Sequence, residues 1–187
     1  SCFILGNIYS PVISGEIQNN GLGMDVSVFN DRGKSIRNKK GELVCKNPFP
    51  SMPTKFWNDF DNKKFKKAYF NKFRGVWHHG DYAEKNKKTG GYTIYGRSDA
   101  TLNPGGVRLG TSEIYSVVEK FKEIKESIVV GQSWDNDVRI ILFVVVNNPN
   151  QFNQNLIERI KKRIRFEASP RHVPSKIIKI TDIPRTK

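Results

Sequence analysis

Between Trp77 and Gly110 the chain concentrates the residue types that could do chemistry. Trp77-His78-His79-Gly80-Asp81 comes first, and Gly96-Arg97-Ser98-Asp99 follows, running on to Pro104-Gly105-Gly106-Val107-Arg108-Leu109-Gly110. A carboxylate on a loop after a glycine, as Asp81 reads, can accept hydrogen bonds from both hydroxyls of a ribose. Arg97 and Arg108 flank a glycine-rich hairpin and could neutralise a phosphate through their planar forks. Gly105 and Gly106 would let a thin substrate arm run along the backbone. A nucleotide monophosphate with a narrow cofactor arm needs that combination. The same residues admit a plainer reading, with Gly80-Asp81 as a turn, Pro104-Gly105 as a type II turn closing a hairpin, and both arginines as solvated strand ends.

Other chemistries lack their residues. His78, His79 and His172, with the distant Cys2 and Cys45, have no zinc-site spacing. No Gly-x-Ser-x-Gly elbow is present to support a serine hydrolase.

The elements that must hold the motifs differ between the two halves. In the first, Met24, Val26 and Val28 alternate with polar residues as a half-buried strand, and Asn30-Asp31-Arg32-Gly33-Lys34 supplies turn chemistry. Gly41–Cys45 and Gly91–Gly96 read as strands, 48–53 as a loop, and Lys64–Phe70 as a helix within a polar and aromatic stretch. In the second half Thr111 reads as a helix N-cap, with Glu113 where the dipole favours an anion. Ile114, Val117, Val118 and Phe121 then form an amphipathic stripe. Strands are expected at Ser127–Gly131, Arg139–Val146 and Lys176–Ile180. A helix over Gln151–Glu167 should bury Leu156, Ile157, Ile160 and Ile164, and Pro170 and Pro174 stop it. The order hairpin, helix, strand, strand, helix, strand makes this half a small α+β domain.

The 187 residues carry a net charge of +14, which raises nucleic acid as a partner. Residues 1–99 hold 17 Lys/Arg against 9 Asp/Glu, and residues 100–187 hold 15 against 9. That even spread argues against a basic tail or a single docking face, and no nucleic-acid partner is expected. No apolar run reaches the length of a membrane span, so no membrane partner is expected either. Two cysteines point to a reducing compartment, the cytoplasm. The oligomeric state is not readable. Both ends fall against strands, which reads as a piece of a longer protein.

Trp-x-His-Gly-Asp, Gly-Arg-Ser-Asp and Gly-Gly-Val-Arg-Leu-Gly-Thr-Ser-Glu-Ile-Tyr, in this order, resemble the late core motifs of the adenylate-forming acyl-CoA synthetases, and most nearly their acetoacetate branch. Gly15-Glu16-Ile17-Gln18, Pro48-Phe49-Pro50-Ser51-Met52-Pro53 and Ala168-Ser169-Pro170-Arg171-His172-Val173-Pro174 extend the resemblance over essentially the whole chain. His79 stands where many members have Thr, and Ala100 where many have a second Asp. The implied fold is α+β: the β-rich end of a large AMP-binding domain (residues 1–98), then the small mobile C-terminal domain (residues 99–187). The implied activity joins acetoacetate to AMP from ATP, with magnesium, and passes the acyl group to coenzyme A. The resemblance implies that Asp81 holds the AMP ribose, Arg97 helps at ribose and phosphate, and Arg108 meets the phosphate in one of two conformations. Asp99 would be the hinge, Gly105 and Gly106 the passage of the pantetheine arm, and Arg165 a contact to the coenzyme A phosphates. It also implies a Ser-Gly-Lys just beyond Lys187 whose lysine orients the reacting groups, and a phosphate-gripping loop far upstream. Lys187 is not that lysine, so no catalytic residue is expected within the chain, and the 187 residues alone are expected not to adenylate. Two rivals are a synthetase for another short acid and a non-catalytic basic module that binds nucleic acid.

Overall fold

The computed structural model describes residues 3–185. Two compact units follow one another along the chain, Ser1–Asp99 and Ala100–Lys187.

The first unit contains β1 (Ile4–Leu5), β2 (Asn19–Asn20), β3 (Val26–Phe29), β4 (Lys40–Cys45), α1 (Lys63–Tyr69), β5 (Trp77–Lys85) and β6 (Tyr92–Arg97). β1 pairs with β2, and β3-β4-β5-β6 form an antiparallel sheet in chain order. The β3–β4 turn forms as read: Asn30 Oδ1 accepts from the amides of Arg32 and Lys34, and Gly33 takes φ +70°. Alternation then sorts the side chains. Val26, Val28, Leu43 and Cys45 face a core shared with Phe3, Phe49, Phe65 and Trp77, while Phe29 and Val44 face the other way, onto Phe73. Tyr69 stacks on Trp77 with ring centroids 3.7 Å apart, and Phe49 meets the indole edge-on at 5.3 Å. Aromatic pairs of this kind add about 0.5–1.5 kcal/mol each beyond the area they bury.

β5 corrects the sequence reading. Gly80-Asp81 is neither a turn nor a loop but the middle of a nine-residue strand. Opposite it β4 runs from Glu42, paired with Tyr82, to Val44, paired with His78, so three residues of β5 face Leu43 alone. Gly80 absorbs this bulge at φ +84°, a conformation that L side chains rarely adopt.

The second unit contains α2 (Thr111–Val118), β7 (Ile124–Trp134), β8 (Asp137–Val146), α3 (Gln154–Glu167) and β9 (Lys176–Lys179). β7 and β8 form a hairpin, and β9 adds to β8 in parallel after the α3 crossover. Ile114, Val117, Val118 and Phe121 pack with Leu156, Ile160 and Ile164 against Val129, Ile140, Leu142 and Val144 of the sheet. Ile157 is half-buried at the margin of that cluster. The Asn153 side chain caps α3 by accepting from the Leu156 amide. The N-cap of α2 is Gly110 rather than Thr111. Thr111 is the first helical residue and Glu113 reaches back to accept from the Gly110 amide at 3.2 Å.

Leu102 and Leu109 exchange both backbone hydrogen bonds, at 3.0 and 2.8 Å, closing the expected hairpin. Its turn runs from Pro104 to Val107, with Gly105 at φ +58° and Gly106 at φ +73°. Two consecutive left-handed residues follow the type I′ pattern, not the single positive φ of type II.

Candidate functional site

Asp81 and Arg97 face each other in the β5–β6 register. One Asp81 carboxylate oxygen lies 2.7 Å from His79 Nδ1 and the other 3.5 Å from Arg97 Nη1. Arg97 Nη1 also donates to the His79 carbonyl at 3.3 Å, and its Nε lies 3.4 Å from an Asp99 oxygen. A Cβ on Gly80 would sit 2.9 Å from Arg97 Nη2, so the glycine is what lets the guanidinium lie over the strand. Burial pushes the Asp81 carboxyl up, but the His79 hydrogen bond and charge, with Arg97, outweigh it and hold the pKa below the ordinary 3.8. The carboxylate is therefore ionised and its orientation set. Arg97 is half exposed and shares long contacts between two carboxylates, which leaves its fork able to turn toward an anion.

Behind this edge lies a buried charge that the sequence reading missed. Glu42 of β4 is 1 % exposed. It accepts from Lys72 Nζ at 2.6 Å, lies 2.8 Å from His78 Nε2, and is hydrogen-bonded by the Ser98 hydroxyl. Its signal was a lone carboxylate inside Gly41-Glu42-Leu43-Val44-Cys45. Through Ser98 it ties the turn that carries Asp99 to the sheet. A concavity of about 520 Å³ opens beside these groups, lined by Tyr69, Trp77, His79, Gly80, Arg97 and Asp99 among others.

The second unit holds the other expected residues. Arg108 Nε donates to Thr101 Oγ1 at 3.0 Å, across the base of the Gly105–Gly106 hairpin. Nothing lies within 4 Å of where a Cβ would stand on either glycine, so both backbones are open to a ligand. A polar relay stands at the next helix start: Ser169 Oγ and His172 Nδ1 are 2.8 Å apart, and His172 Nε2 is 3.2 Å from the Glu113 carboxylate that caps Gly110. Arg165 is exposed on α3, with no hydrogen bond or ion pair among the described residues. Thus Asp81, Arg97 and Asp99 come together on the first unit, and Arg108, Gly105 and Gly106 on one loop of the second. Lys187 and Cys2 lie outside the described residues. Among the described residues no three His, Cys, Asp or Glu side chains gather as a metal site, and no helix is long and apolar enough to cross a membrane.

No family model matches the chain. It is 57 % identical over all 187 residues to an acetoacetyl-coenzyme A synthetase of Rhizobium meliloti, and spans 29 % of that enzyme's length. The chain is homologous, end to end, to a stretch of the acetoacetyl-CoA synthetases. The solved acetoacetyl-CoA synthetase of Streptomyces lividans superposes with a TM-score of 0.87 at 42 % identity, over 94 % of this chain and 26 % of that one. An anthranilate-CoA ligase solved with anthranoyl-AMP shares the fold, with a TM-score of 0.81 at 20 % identity, over 98 % of this chain and 34 % of that one. The α+β architecture is therefore that of the adenylate-forming enzymes.

Proposed function

We propose that the protein of which this chain forms a part converts acetoacetate, ATP and coenzyme A to acetoacetyl-CoA, AMP and diphosphate through an acyl-adenylate. The observation that carries this reading is the Asp81 carboxylate, ionised and oriented between His79 and Arg97, in a chain 57 % identical to an acetoacetyl-CoA synthetase. In the proposed reaction a carboxylate oxygen of acetoacetate attacks the α-phosphorus of ATP and diphosphate leaves. The thiol of coenzyme A then attacks the acyl carbon, AMP leaves and the thiol proton is lost.

Asp81 accepts hydrogen bonds from both ribose hydroxyls, which fixes the nucleotide without touching the reacting bond. Arg97, released from its long carboxylate contacts, donates at the ribose and phosphate, and Arg108 meets the phosphate in one of two conformations. Fixed cations at the transferring phosphoryl group stabilise charge as it develops. Asp99 serves as the pivot between the 1–98 and 99–187 domains, exchanging one set of groups for another around the adenylate. Gly105 and Gly106 border the pantetheine arm, and Arg165 meets the coenzyme A phosphates. Magnesium would arrive with the ATP phosphates, on which it neutralises charge while keeping several waters.

The test is a chimera in which these 187 residues replace the matched segment of the Rhizobium meliloti synthetase. It should support acetoacetate-dependent exchange of diphosphate into ATP and form acetoacetyl-CoA, whereas the 187 residues alone should do neither. Asp81→Ala should lose exchange by a hundredfold or more, on the order of the loss for a substrate-positioning group. A chimera that neither exchanges diphosphate into ATP nor forms acetoacetyl-CoA would overturn the reading.

A further inference from the structure

The Gly105–Gly106 turn is held by a carboxylate that no motif singled out. The Gly105 amide donates to both oxygens of Asp137, at 2.9 and 3.0 Å. Asp137 opens β8 directly after Asp135 and Asn136, which take φ +52° and +59° in the two-residue β7–β8 loop. Its Oδ1 also accepts from the Val138 amide at 2.7 Å, which fixes the side chain on its own backbone. The carboxylate thus inherits its place from a hairpin paired without interruption from Glu126–Val145 to Trp134–Asp137.

Two adjacent glycines are the stretch of backbone least able to hold one conformation, since each samples both signs of φ about equally. Leu102 and Leu109 anchor the base of the hairpin and the Val107 amide donates to the Pro104 carbonyl at 3.2 Å, but both glycines of the tip have open space beside them. The hydrogen bonds from the Val138 and Gly105 amides keep the Asp137 carboxyl ionised below the usual carboxylate range, so the clamp persists at neutral pH.

We propose that Asp137 is a positioning residue that pre-organises the Gly105–Gly106 turn for the arm of coenzyme A. The coenzyme A half rests on the reading of those glycines above. Asp137 touches no reacting atom; it removes conformational freedom that the arm would otherwise have to remove on binding.

Two measurements test it. In the 187-residue chain, the Gly105 amide proton should shift as pH falls through the lowered Asp137 pKa, and Asp137→Ala should abolish that shift and speed the amide's hydrogen exchange. An amide indifferent to Asp137→Ala would overturn the clamp. In the chimera, Asp137→Ala should raise KM for coenzyme A about tenfold, and Asp137→Asn, which keeps one acceptor oxygen, about threefold. Diphosphate exchange, which needs no coenzyme A, should stay unchanged. An unchanged KM with a responsive amide would overturn the link to the arm, and equal losses in both half-reactions would mark a merely structural role. A parent chimera that forms no acetoacetyl-CoA would instead overturn the functional reading, while the amide measurement would still decide the clamp.

Discussion

Replacing Glu42 by Ala tests whether the buried carboxylate organises the first unit. It lies 2.6 Å from Lys72 Nζ and 2.8 Å from His78 Nε2, and Ser98 donates to the same oxygen that His78 faces. Removing one partner of a buried ionic cluster costs about 3–5 kcal/mol, because the remaining polar groups stay desolvated and unpaired. Here the lower end applies. The Lys72 side chain is 34 % exposed and also lies 3.4 Å from Asp31, so its charge keeps water and a second carboxylate. His78, 17 % exposed, and Ser98 lose an acceptor with less recourse. The expected loss is about 3 kcal/mol for Glu42→Ala, and about half of that for Glu42→Gln, which keeps the shape and one oxygen. With a urea dependence of about 2 kcal/mol per molar, the Ala midpoint falls by roughly 1.5 M. Trp77, buried against Tyr69, reports the transition in a Trp57→Phe, Trp134→Phe background. Lys46→Ala, which removes a half-exposed pair with Asp25 in the same unit, is the control, with a loss of no more than about 1 kcal/mol. A Glu42→Ala shift no larger than that of the control would refute the reasoning.

Three further expectations follow from other parts of the molecule. Gly80→Ala places a methyl group against the Arg97 guanidinium at a positive φ, so the chimera should lose nucleotide affinity about tenfold, with a stability loss of about 1–2 kcal/mol. Isothermal titration with AMP and urea titration separate the two effects. Asp81 has a lowered pKa, so its stabilising contribution is complete above the ordinary 3.8 and is lost as pH falls through the lower folded value. Asp81→Asn should therefore flatten the stability–pH curve below about pH 4, as acid-dependent circular dichroism would show. Ile160→Ala, which empties a fully buried site between α3 and the sheet, should cost about 2–5 kcal/mol, read as a fall in the urea midpoint of the second unit through Trp134 fluorescence.

Elements whose periodicity came from packing were legible in the sequence. α3 shows its buried stripe at Leu156, Ile160 and Ile164, and β3 its alternation at Val26 and Val28, because one face of each must leave water. β5 was not legible. Trp77-His78-His79-Gly80-Asp81 carries polar groups on both faces and a glycine at its centre, so a strand serving a site resembles a turn. The residue types at the site, Asp81 and Arg97 above all, stood out for their chemistry, yet their pairing depends on a β5–β6 register that local pattern does not encode. The supporting residues were the least visible. Glu42 looked like one more strand position, and Asp137 like one more hairpin end, until the fold brought Ser98 to the first and Gly105 to the second.

The parallel seat of β9 on β8 has a consequence for synthesis. β7 can pair with β8 as soon as both exist, but the open edge of β8 waits for Lys176–Lys179, a whole crossover later. At roughly 5–20 residues per second that wait lasts on the order of seconds, during which Ile141–Val144 offers unpaired backbone groups on an apolar strand. Ribosome pausing between Val146 and Lys176 should therefore raise the aggregated fraction of newly made chain, whereas pausing of equal length after Lys179 should leave it unchanged.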